Sequence, residues 1–286
     1  MAPVTFVGAG PGAPDLITVR GLRALRAADV VIWAGSLVNP ELLRECRPSC
    51  ETHDSARLTL EDVIGLMRRA VAEGRRVVRL HTGDPSLFGA IREQMDALDA
   101  LGIAYEVVPG VSSMGGAAAA LRCEYTLPGV SQTVIVTRAA GRTPVPRGQS
   151  LRELATHGAT LVIFLSAGLA ASVREELLAA GLDPRTPVAV VRRATWPDEA
   201  ILRTDVDCLP RAMAARGIDR TALIIVGGCV DPLRAPADGV AAPLSGDCPP
   251  QAAGYERSRL YDPAFATGYR PARPTGSPDE DQGATA

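Results

Sequence analysis

Residues 76–91 read RVVRLHTGDPSLFGAI, an apolar stretch that changes abruptly into the turn-like residues TGDPS. The apolar part predicts a buried strand, and Gly83, Asp84 and Pro85 end it. Two interpretations of this ending are open. Gly, Asp and Pro are ordinary turn residues, but the carboxyl end of a strand in an α/β sheet is also where ligands bind closely to main-chain amides.

Strand-like and helix-like segments alternate on both sides of this stretch. The predicted strands are at 4–10, 30–35 and 104–111, and the predicted helices at 15–29, 39–47, 58–74 and 86–102. Thr59 and Asp62 are placed to cap the helix at 58–74, and Gly74 is placed to close it. Strands separated by helices of this length predict a mostly parallel sheet.

A second strand–helix pattern begins after residue 113. Its predicted strands are at 132–138, 159–168 and 221–228, with a strand and hairpin at 186–204, and its predicted helices are at 150–158 and 171–182. We therefore predict an α/β protein of two domains, 1–113 and 114–230, with a ligand cleft between them. The Pro/Gly-rich extension 231–286 is expected to be partly disordered, although its four aromatic residues within 255–271 favour docking of that part onto the body.

Composition narrows the class of protein. The net charge is −2 over 286 residues, which argues against a nucleic-acid surface. We find no apolar run long enough for a membrane span and no signal-peptide pattern, so a cytoplasmic location is predicted. Of the six cysteines only Cys46 and Cys50 are close in sequence, and no second pair or His completes a metal set. Free thiols and no metal are the expectation.

The glycine loop VGAGPGAPDLIT at 7–18 raises the possibility of a dinucleotide site. The GxGxxG fingerprint fails at Ala13, and the acidic residue expected at the end of the second strand is absent, because that strand ends WAG at 33–35. No Gly-Lys-Ser/Thr follows, so the loop is not a P-loop. A tight turn and a ligand-binding loop stiffened by Pro11 are both left open.

Seven stretches together resemble one known family. They are VGAGPGAPDLIT, ADVVIWAGSLVNP (28–40), RLHTGDPSLFGAI (79–91), EVVPGVSS (106–113), ATLVIFLS (159–166), PVAVVRRATWPDE (187–199) and TALIIVG (221–227). In this order they are similar to the tetrapyrrole methylases, which methylate uroporphyrinogen and precorrin rings with S-adenosylmethionine. The resemblance implies two α/β/α domains of the class III methyltransferase type, a cofactor folded into the cleft between them, and a homodimer.

The resemblance also implies a set of S-adenosyl-L-methionine neighbours. They are Pro11, Thr82, Gly83, Asp84, Leu87, Ser112, Ser113, Leu165, Ala194, Ala222 and Leu223. Several have an ordinary structural interpretation as well. Leu87, Leu165 and Ala194 could be core residues, and Ser112 and Ser113 could cap the following helix. Asp84, between Gly and Pro, is the hardest to explain without a ligand.

A tetrapyrrole substrate would carry acetate and propionate groups around its rim. The candidates to contact it are Gly10 and Gly12 of the glycine loop, His81, and the arginines Arg79, Arg138 and Arg142. A surface arginine or a packed histidine is the alternative in each case. Some relatives carry an Asp at the end of the second strand as a proposed proton acceptor. Ala34 occupies that position here, so no catalytic residue is assigned.

Two other functions remain open on the sequence alone. One is a non-catalytic protein that binds a tetrapyrrole or adenosyl ligand, which the substitution at Ala34 keeps possible. The other is a nicotinamide-dependent oxidoreductase, which Ala13 and the missing ribose-binding acid disfavour.

Overall fold

The structure is a computed structural model that describes residues 3–231, 258–261 and 264–272. The first domain is built on a five-stranded sheet in the order β3-β2-β4-β1-β5. The strands are β1 (Val4–Gly8), β2 (Val30–Trp33), β3 (Glu51–Asp54), β4 (Val77–His81) and β5 (Tyr105–Val108). All four pairings are parallel, which confirms the parallel sheet predicted for this half. The sequence did not indicate β3, because this edge strand reads ETHD and is largely exposed.

Three α-helices cover the two faces of this sheet. They are α1 (Val19–Ala27), α2 (Leu60–Ala72) and α3 (Arg92–Ala100). Thr59 and Asp62 form the predicted capping box at the start of α2. Asn39 caps the segment predicted as a helix at 39–47, but Pro40–Glu45 forms a 3-10 helix. One buried cluster, with Val7 and Leu25, lies on one face of the sheet, and another, with Phe6 and Met67, lies on the opposite face.

The second domain has a mixed five-stranded sheet in the order β6-β7-β10-β8-β9. Its strands are β6 (Val134–Arg138), β7 (Thr160–Phe164), β8 (Pro187–Arg192), β9 (Ala200–Asp205) and β10 (Ala222–Val226). Only β6 and β7 pair in parallel, and the other pairings are antiparallel. The β8–β9 pair confirms the hairpin predicted within 186–204. The second domain therefore does not repeat the parallel arrangement of the first.

Helices cover both faces of the second sheet. They are α4 (Ser113–Leu121), α5 (Leu151–Ala155), α6 (Ala170–Ala179) and α7 (Leu209–Ala215). Ala117 and Leu121 of α4 are buried against β7, β8 and β10. Helix α4 thus packs on the second sheet from its first turns. The domain boundary near residue 113 stays a prediction, and the packing of α4 is consistent with it.

The described part of the C-terminal extension bears on the docking predicted for 255–271. Phe265 is 43% exposed and Tyr269 is fully exposed, so the Tyr269 ring is not covered by the body, and docking of the segment stays a prediction. Arg270 donates hydrogen bonds to the main-chain oxygens of Leu260 and Phe265, within the same segment. The disorder predicted for the rest of the extension concerns residues 232–257 and 273–286, which lie outside the described ones.

The state of the cysteines tests the prediction that they are free thiols. Cys46, Cys50, Cys123 and Cys229 are free thiols, whereas Cys208 is disulfide-bonded, so the free-thiol prediction is wrong for Cys208. Within residues 3–231 and the two short later segments, no group of three or more His, Cys, Asp or Glu side chains could hold a metal ion. None of the helices found there is long and apolar enough to cross a membrane.

Candidate active site

A cavity of about 360 Å³ lies between the carboxyl edge of the first sheet and the second sheet. Its walls come from the turn after β4, the start of α4, the ends of β7 and β8, and the start of β10. All eleven residues that the family resemblance placed beside the cofactor line this one cavity: Pro11, Thr82, Gly83, Asp84, Leu87, Ser112, Ser113, Leu165, Ala194, Ala222 and Leu223. The two sheets thus bring together segments that are distant in sequence.

Asp84 fixes the turn that ends β4. Its Oδ2 accepts a hydrogen bond of 2.8 Å from the main-chain N–H of Gly110, just after β5. Its Oδ1 accepts hydrogen bonds from the main-chain N–H and the hydroxyl of Ser86. The carboxylate therefore joins the ends of two strands and borders the cavity as well. The turn residues predicted from the sequence are thus also part of the cavity wall.

The hydrogen bonds of Asp84 affect its charge state. Partial burial acts to raise its pKa, but the hydrogen bonds from Ser86 and Gly110 together outweigh burial. The net result is a pKa below the ordinary value of 3.8. Asp84 is therefore ionised at neutral pH, and it is a weak proton acceptor.

The glycine loop approaches the same turn through its main chain. Gly83, with φ +60°, donates to the oxygen of Gly10 at 2.8 Å, and Gly10, with φ +82°, donates back to Gly83 at 3.3 Å. A Cβ on Gly110 would lie 2.1 Å from the oxygen of Gly83, so the β5 end must also be glycine. These contacts hold the ends of β1, β4 and β5 together.

The start of α4 forms the side of the cavity nearest the domain connection. The hydroxyl of Ser112 accepts a hydrogen bond of 3.3 Å from the N–H of Met114, so Ser112 caps this helix. Ser113 is the first residue of α4, and both serines line the cavity. The capping alternative is thus correct for Ser112 without removing it from the site.

Strained backbone surrounds the cavity. Phe88, Leu165, Arg193 and Thr221 line it, and each has a positive φ of 49–56°. Leu165 is also 67% exposed although it is apolar. Non-glycine residues rarely adopt this conformation, and those that do concentrate at functional sites. The main chain of the second domain is therefore bent in several places to form this wall.

A clasp connects the two domains beside the cavity; we use this name for the contacts between Pro11–Ala13 and Thr195–Trp196. Trp196 Nε1 donates to the oxygen of Pro11 at 3.1 Å, and the N–H of Ala13 donates to Thr195 Oγ1 at 3.0 Å. A Cβ on Gly12 would lie 2.1 Å from Trp196 Cδ1. Gly12 is thus required for close packing against the tryptophan ring.

The substrate role predicted for Gly10 and Gly12 stays a prediction, and the clasp shows what these glycines contact in the protein. Neither residue lines the cavity. Gly10 is paired with Gly83, and Gly12 is covered by the ring of Trp196.

The substrate role predicted for Arg79 and His81 stays a prediction, and the structure shows packing contacts within the first domain for both side chains. Arg79 is buried, and its guanidinium donates to Gln94 Oε1 at 3.1 Å and to the oxygen of Ile32 at 3.2 Å. His81 is buried and stacks on Phe6 with ring centroids 6.0 Å apart. Burial, reinforced by the nearby charge of Arg79, lowers the pKa of His81 to about 3. Both side chains lie within the first domain, and neither lines the cavity.

The other two predicted arginines also lie outside the cavity. The guanidinium of Arg138 donates to the main-chain oxygens of Ala139, Thr143 and Pro144, so it stabilises its own loop, and its substrate role stays a prediction. Arg142 is exposed on that loop. The sequence analysis missed two cations that line the cavity, Arg193 and Arg220. Arg193 stands directly before ATWPDE, within one of the seven stretches that carry the resemblance.

The family assignment now rests on direct comparison. The sequence profile of the family described as "Tetrapyrrole (Corrin/Porphyrin) Methylases" matches residues 3–210. This match covers well over half of the chain. The chain belongs to the tetrapyrrole methylase family, and its fold is the two-domain α/β fold of class III methyltransferases.

Individual relatives are similar over most of their length. A precorrin-4 C(11)-methyltransferase of Pseudomonas aeruginosa is 51% identical over 226 residues, which is 78% of this chain and 89% of that protein. A solved cobalt precorrin-4 methyltransferase of cobalamin biosynthesis is 49% identical, with a TM-score of 0.79 over 80% of this chain and 96% of that one. A uroporphyrin-III C-methyltransferase of Thermus thermophilus, solved with S-adenosylhomocysteine, is 30% identical, with a TM-score of 0.68 over 83% of this chain and 97% of that one.

Proposed function

We propose that this chain transfers a methyl group from S-adenosylmethionine to C-11 of precorrin-4, giving precorrin-5 in cobalamin biosynthesis. The observation that carries the proposal is the convergence of all eleven expected donor-site residues on one cavity between the domains. The names of the relatives support the ring position. They include both precorrin-4 and cobalt-precorrin-4 enzymes, so the cobalt-containing ring is the close alternative substrate.

The cavity fits a folded adenosyl ligand. Leu87, Ala194 and Leu223 offer apolar contact, whereas Ser112 and Ser113 offer hydroxyl groups. The first sheet contributes main-chain groups of Thr82 and Gly83 at a strand end, which is a common position for nucleotide-type ligands. When bound, S-adenosylmethionine would supply a methyl group that is already activated on a sulfonium.

The protein would then act mainly by positioning. The two walls would exclude water and hold the ring carbon in line with the methyl group, at about 3–3.5 Å. Of the described residues that line the cavity, Asp84 and Asp219 are the carboxylates. Asp84 has a lowered pKa, and Asp219 is largely exposed beside Arg220. Neither is assigned a proton-transfer role, and the catalytic residue for proton removal is left unassigned.

Methylation of the ring tests the proposal directly. Purified protein incubated with precorrin-4 or cobalt-precorrin-4 and methyl-labelled donor should give a ring with a new labelled methyl at C-11, located by NMR. Leu87→Trp should abolish turnover because the larger ring fills the cavity. Leu101→Trp is the matched control, since Leu101 is 44% exposed and lies outside the cavity, and it should remain active. Label on another carbon would overturn the proposed ring position.

A non-catalytic binding protein is the alternative from a different class. Ala34, in place of the Asp of some relatives, is the feature that favours it. A carrier would bind one ring per chain and release no S-adenosylhomocysteine, whereas an enzyme would turn over many rings. The homodimer and the cytoplasmic location are further proposals from the family resemblance and the sequence, and light scattering of the purified chain would test the former.

A further inference from the structure

The stretch RRATWPDE, at 192–199, places a cation at the wall of the cavity. Among the described residues that line it, Arg193 and Arg220 are the positively charged ones. The Arg220 side chain is 86% exposed, and its Nε lies 3.5 Å from Asp219 Oδ1. The Arg193 side chain is only 30% exposed. The two arginines therefore differ in how firmly the protein holds them.

Three contacts fix Arg193. Its guanidinium carbon lies 3.9 Å from the centre of a Trp196 ring, a distance suited to a cation–π interaction. Its Nε lies 2.7 Å from Asp198 Oδ1. Its main-chain N–H donates to the oxygen of Thr221 at 2.9 Å, in a backbone with φ +49°. Trp196 is itself held by its hydrogen bond to Pro11. The guanidinium therefore has a defined plane and direction.

The outer edge of the same guanidinium is available. No hydrogen bond joins Nη1 or Nη2 of Arg193 to another residue in the described part of the chain. Asp198 lies beside Nε as an ion-pair partner without forming a hydrogen bond to it, and Asp198 also contacts Arg192 Nη2 at 3.4 Å, so it offsets only part of the charge of Arg193. Two parallel N–H groups of this kind match the two oxygens of a carboxylate. A ligand carboxylate in the cavity would complete the set of contacts.

We propose that Arg193 binds a ligand carboxylate in this cavity and that Trp196 and Asp198 position its guanidinium for that purpose. The inference rests on the proposed function, because both ligands of that reaction carry carboxylates. One source is the amino-acid part of the donor, and the other is an acetate or propionate group of the ring. The chemistry of recognition is the same in both cases, and binding measurements separate them.

Two probes identify a donor carboxylate. S-adenosylhomocysteine carries the amino-acid carboxylate, whereas 5′-methylthioadenosine lacks the amino-acid part. If Arg193 binds the donor, Arg193→Gln should weaken the binding of S-adenosylhomocysteine, measured by calorimetry, by about 10- to 100-fold. This is the range expected for the loss of a charge-assisted pair. Binding of 5′-methylthioadenosine should stay within about 2-fold of the wild-type value, since it lacks the group that the arginine recognises.

A ring carboxylate gives a different pattern. Arg193→Gln should then leave S-adenosylhomocysteine binding unchanged and weaken the binding of precorrin-4. KM for precorrin-4 should rise by about 10- to 100-fold with little change in kcat, and an absorbance titration should show the weaker binding directly. Arg193→Lys should recover part of the affinity, because it keeps the charge but loses the planar pair of donors. Arg220→Gln is the matched control, and it should change either affinity by less than about 3-fold, as expected for an exposed charge.

Three results would overturn the inference. The first is a folded Arg193→Gln protein, with a melting curve like that of the wild type, that binds both S-adenosylhomocysteine and precorrin-4 normally. The second is an Arg193→Gln protein that binds S-adenosylhomocysteine and 5′-methylthioadenosine more weakly by the same factor, which would mean that Arg193 only shapes the cavity. The third is an equal effect of Arg220→Gln. If the wild-type protein methylates no ring, the proposed function fails, while the donor measurement still decides the role of Arg193.

Discussion

The carboxylate of Asp84 accepts hydrogen bonds from residues on two different segments, Ser86 in its own turn and Gly110 after β5. Hydrogen bonds to a charged acceptor contribute about 1.5–3 kcal/mol each, more than neutral ones. Such bonds hold Thr82 and Gly83 in place at the cavity wall without using a side chain of a regular helix or strand. This explains why a strand ends in Gly, Asp and Pro at this point in the sequence.

His81 provides a prediction at the scale of one residue, based on its pKa of about 3 in the folded protein. An unfolded histidine has a pKa of about 6.5. Below that value the histidine takes up a proton in the unfolded chain but stays neutral in the folded chain. The contribution of His81 to folding stability is therefore fully present above about pH 6.5 and is lost as the pH decreases. Between pH 7 and pH 5 the loss from this group should be about 2 kcal/mol.

Urea unfolding of His81→Leu at pH 7, 6 and 5 measures this contribution. Leucine has a similar volume and does not titrate, so the variant should lose about 2 kcal/mol less than the wild type over this interval. The two proteins are compared by the change of their unfolding free energy with pH. A packing change from the substitution that is the same at every pH does not affect this comparison. Parallel slopes for the two proteins would show that His81 can take up its proton in the folded state.

The contrast between Arg79 and Arg193 shows how far residue type and position in the sequence can predict which arginines line the cavity. Arg79 stands two residues before His81 on β4, so both side chains point to one face of the strand, and that face packs within the first domain. A strand that ends at the cavity therefore does not bring every polar residue of the strand to the cavity wall. Arg193 follows β8 immediately, in a left-handed conformation that no propensity indicates. Its position became clear only from the contacts with Trp196 and Asp198.

At the scale of elements, the capped helices were the most predictable parts. Thr59 with Asp62 forms the expected capping box and Ser150 with Glu153 forms a second one, because cap and partner lie three residues apart and depend little on the rest of the fold. The helix predicted over 86–102 begins only at Arg92. The positive φ angles of Phe88 and Ala90 interrupt it, and these belong to the cavity wall and its neighbouring turn. Local patterns failed where a site required an unusual backbone.

The clasp gives a prediction at the scale of two connecting elements. Gly12→Ala would place a methyl group 2.1 Å from Trp196 Cδ1, so the glycine loop or the tryptophan must move. Overpacking of this kind costs about 1–3 kcal/mol of folding stability. Urea unfolding should show this loss, and S-adenosylhomocysteine binding should weaken because Pro11 and Trp196 both line the cavity.

A double-mutant cycle identifies the cause. In the Trp196→Ala background, Gly12→Ala should be tolerated at a much smaller cost, because the ring that it meets is gone. Gly65→Ala is the matched control: only Arg69 Nη1, at 3.7 Å, lies near its added Cβ within α2. That substitution should stabilise the chain by about 0.5–1 kcal/mol. An equal cost of Gly12→Ala with and without the tryptophan would disprove the steric explanation.

At the scale of the whole molecule, the site depends on two sheets of different construction. The first sheet has parallel strands with their carboxyl ends at the cavity, as its strand–helix alternation predicted. The second sheet is mostly antiparallel, because β10, the last strand, pairs between β7 and β8. That insertion is a long-range pairing, and short apolar strands carry no sequence signal for their partners. The family resemblance identified the cavity residues that periodicity alone could not have assembled.

A ligand that touches both sheets should stabilise them together. If S-adenosylhomocysteine binds only the folded chain, a concentration 100 times its Kd should raise folding stability by about 2.7 kcal/mol. For a chain of this size the melting temperature should rise by about 4–6 °C, in a single calorimetric transition. Leu101→Trp should show the same shift, whereas Leu87→Trp, with the cavity filled, should show almost none. Two separate transitions of which only one moves would place the ligand on one domain, in conflict with a cavity formed by both.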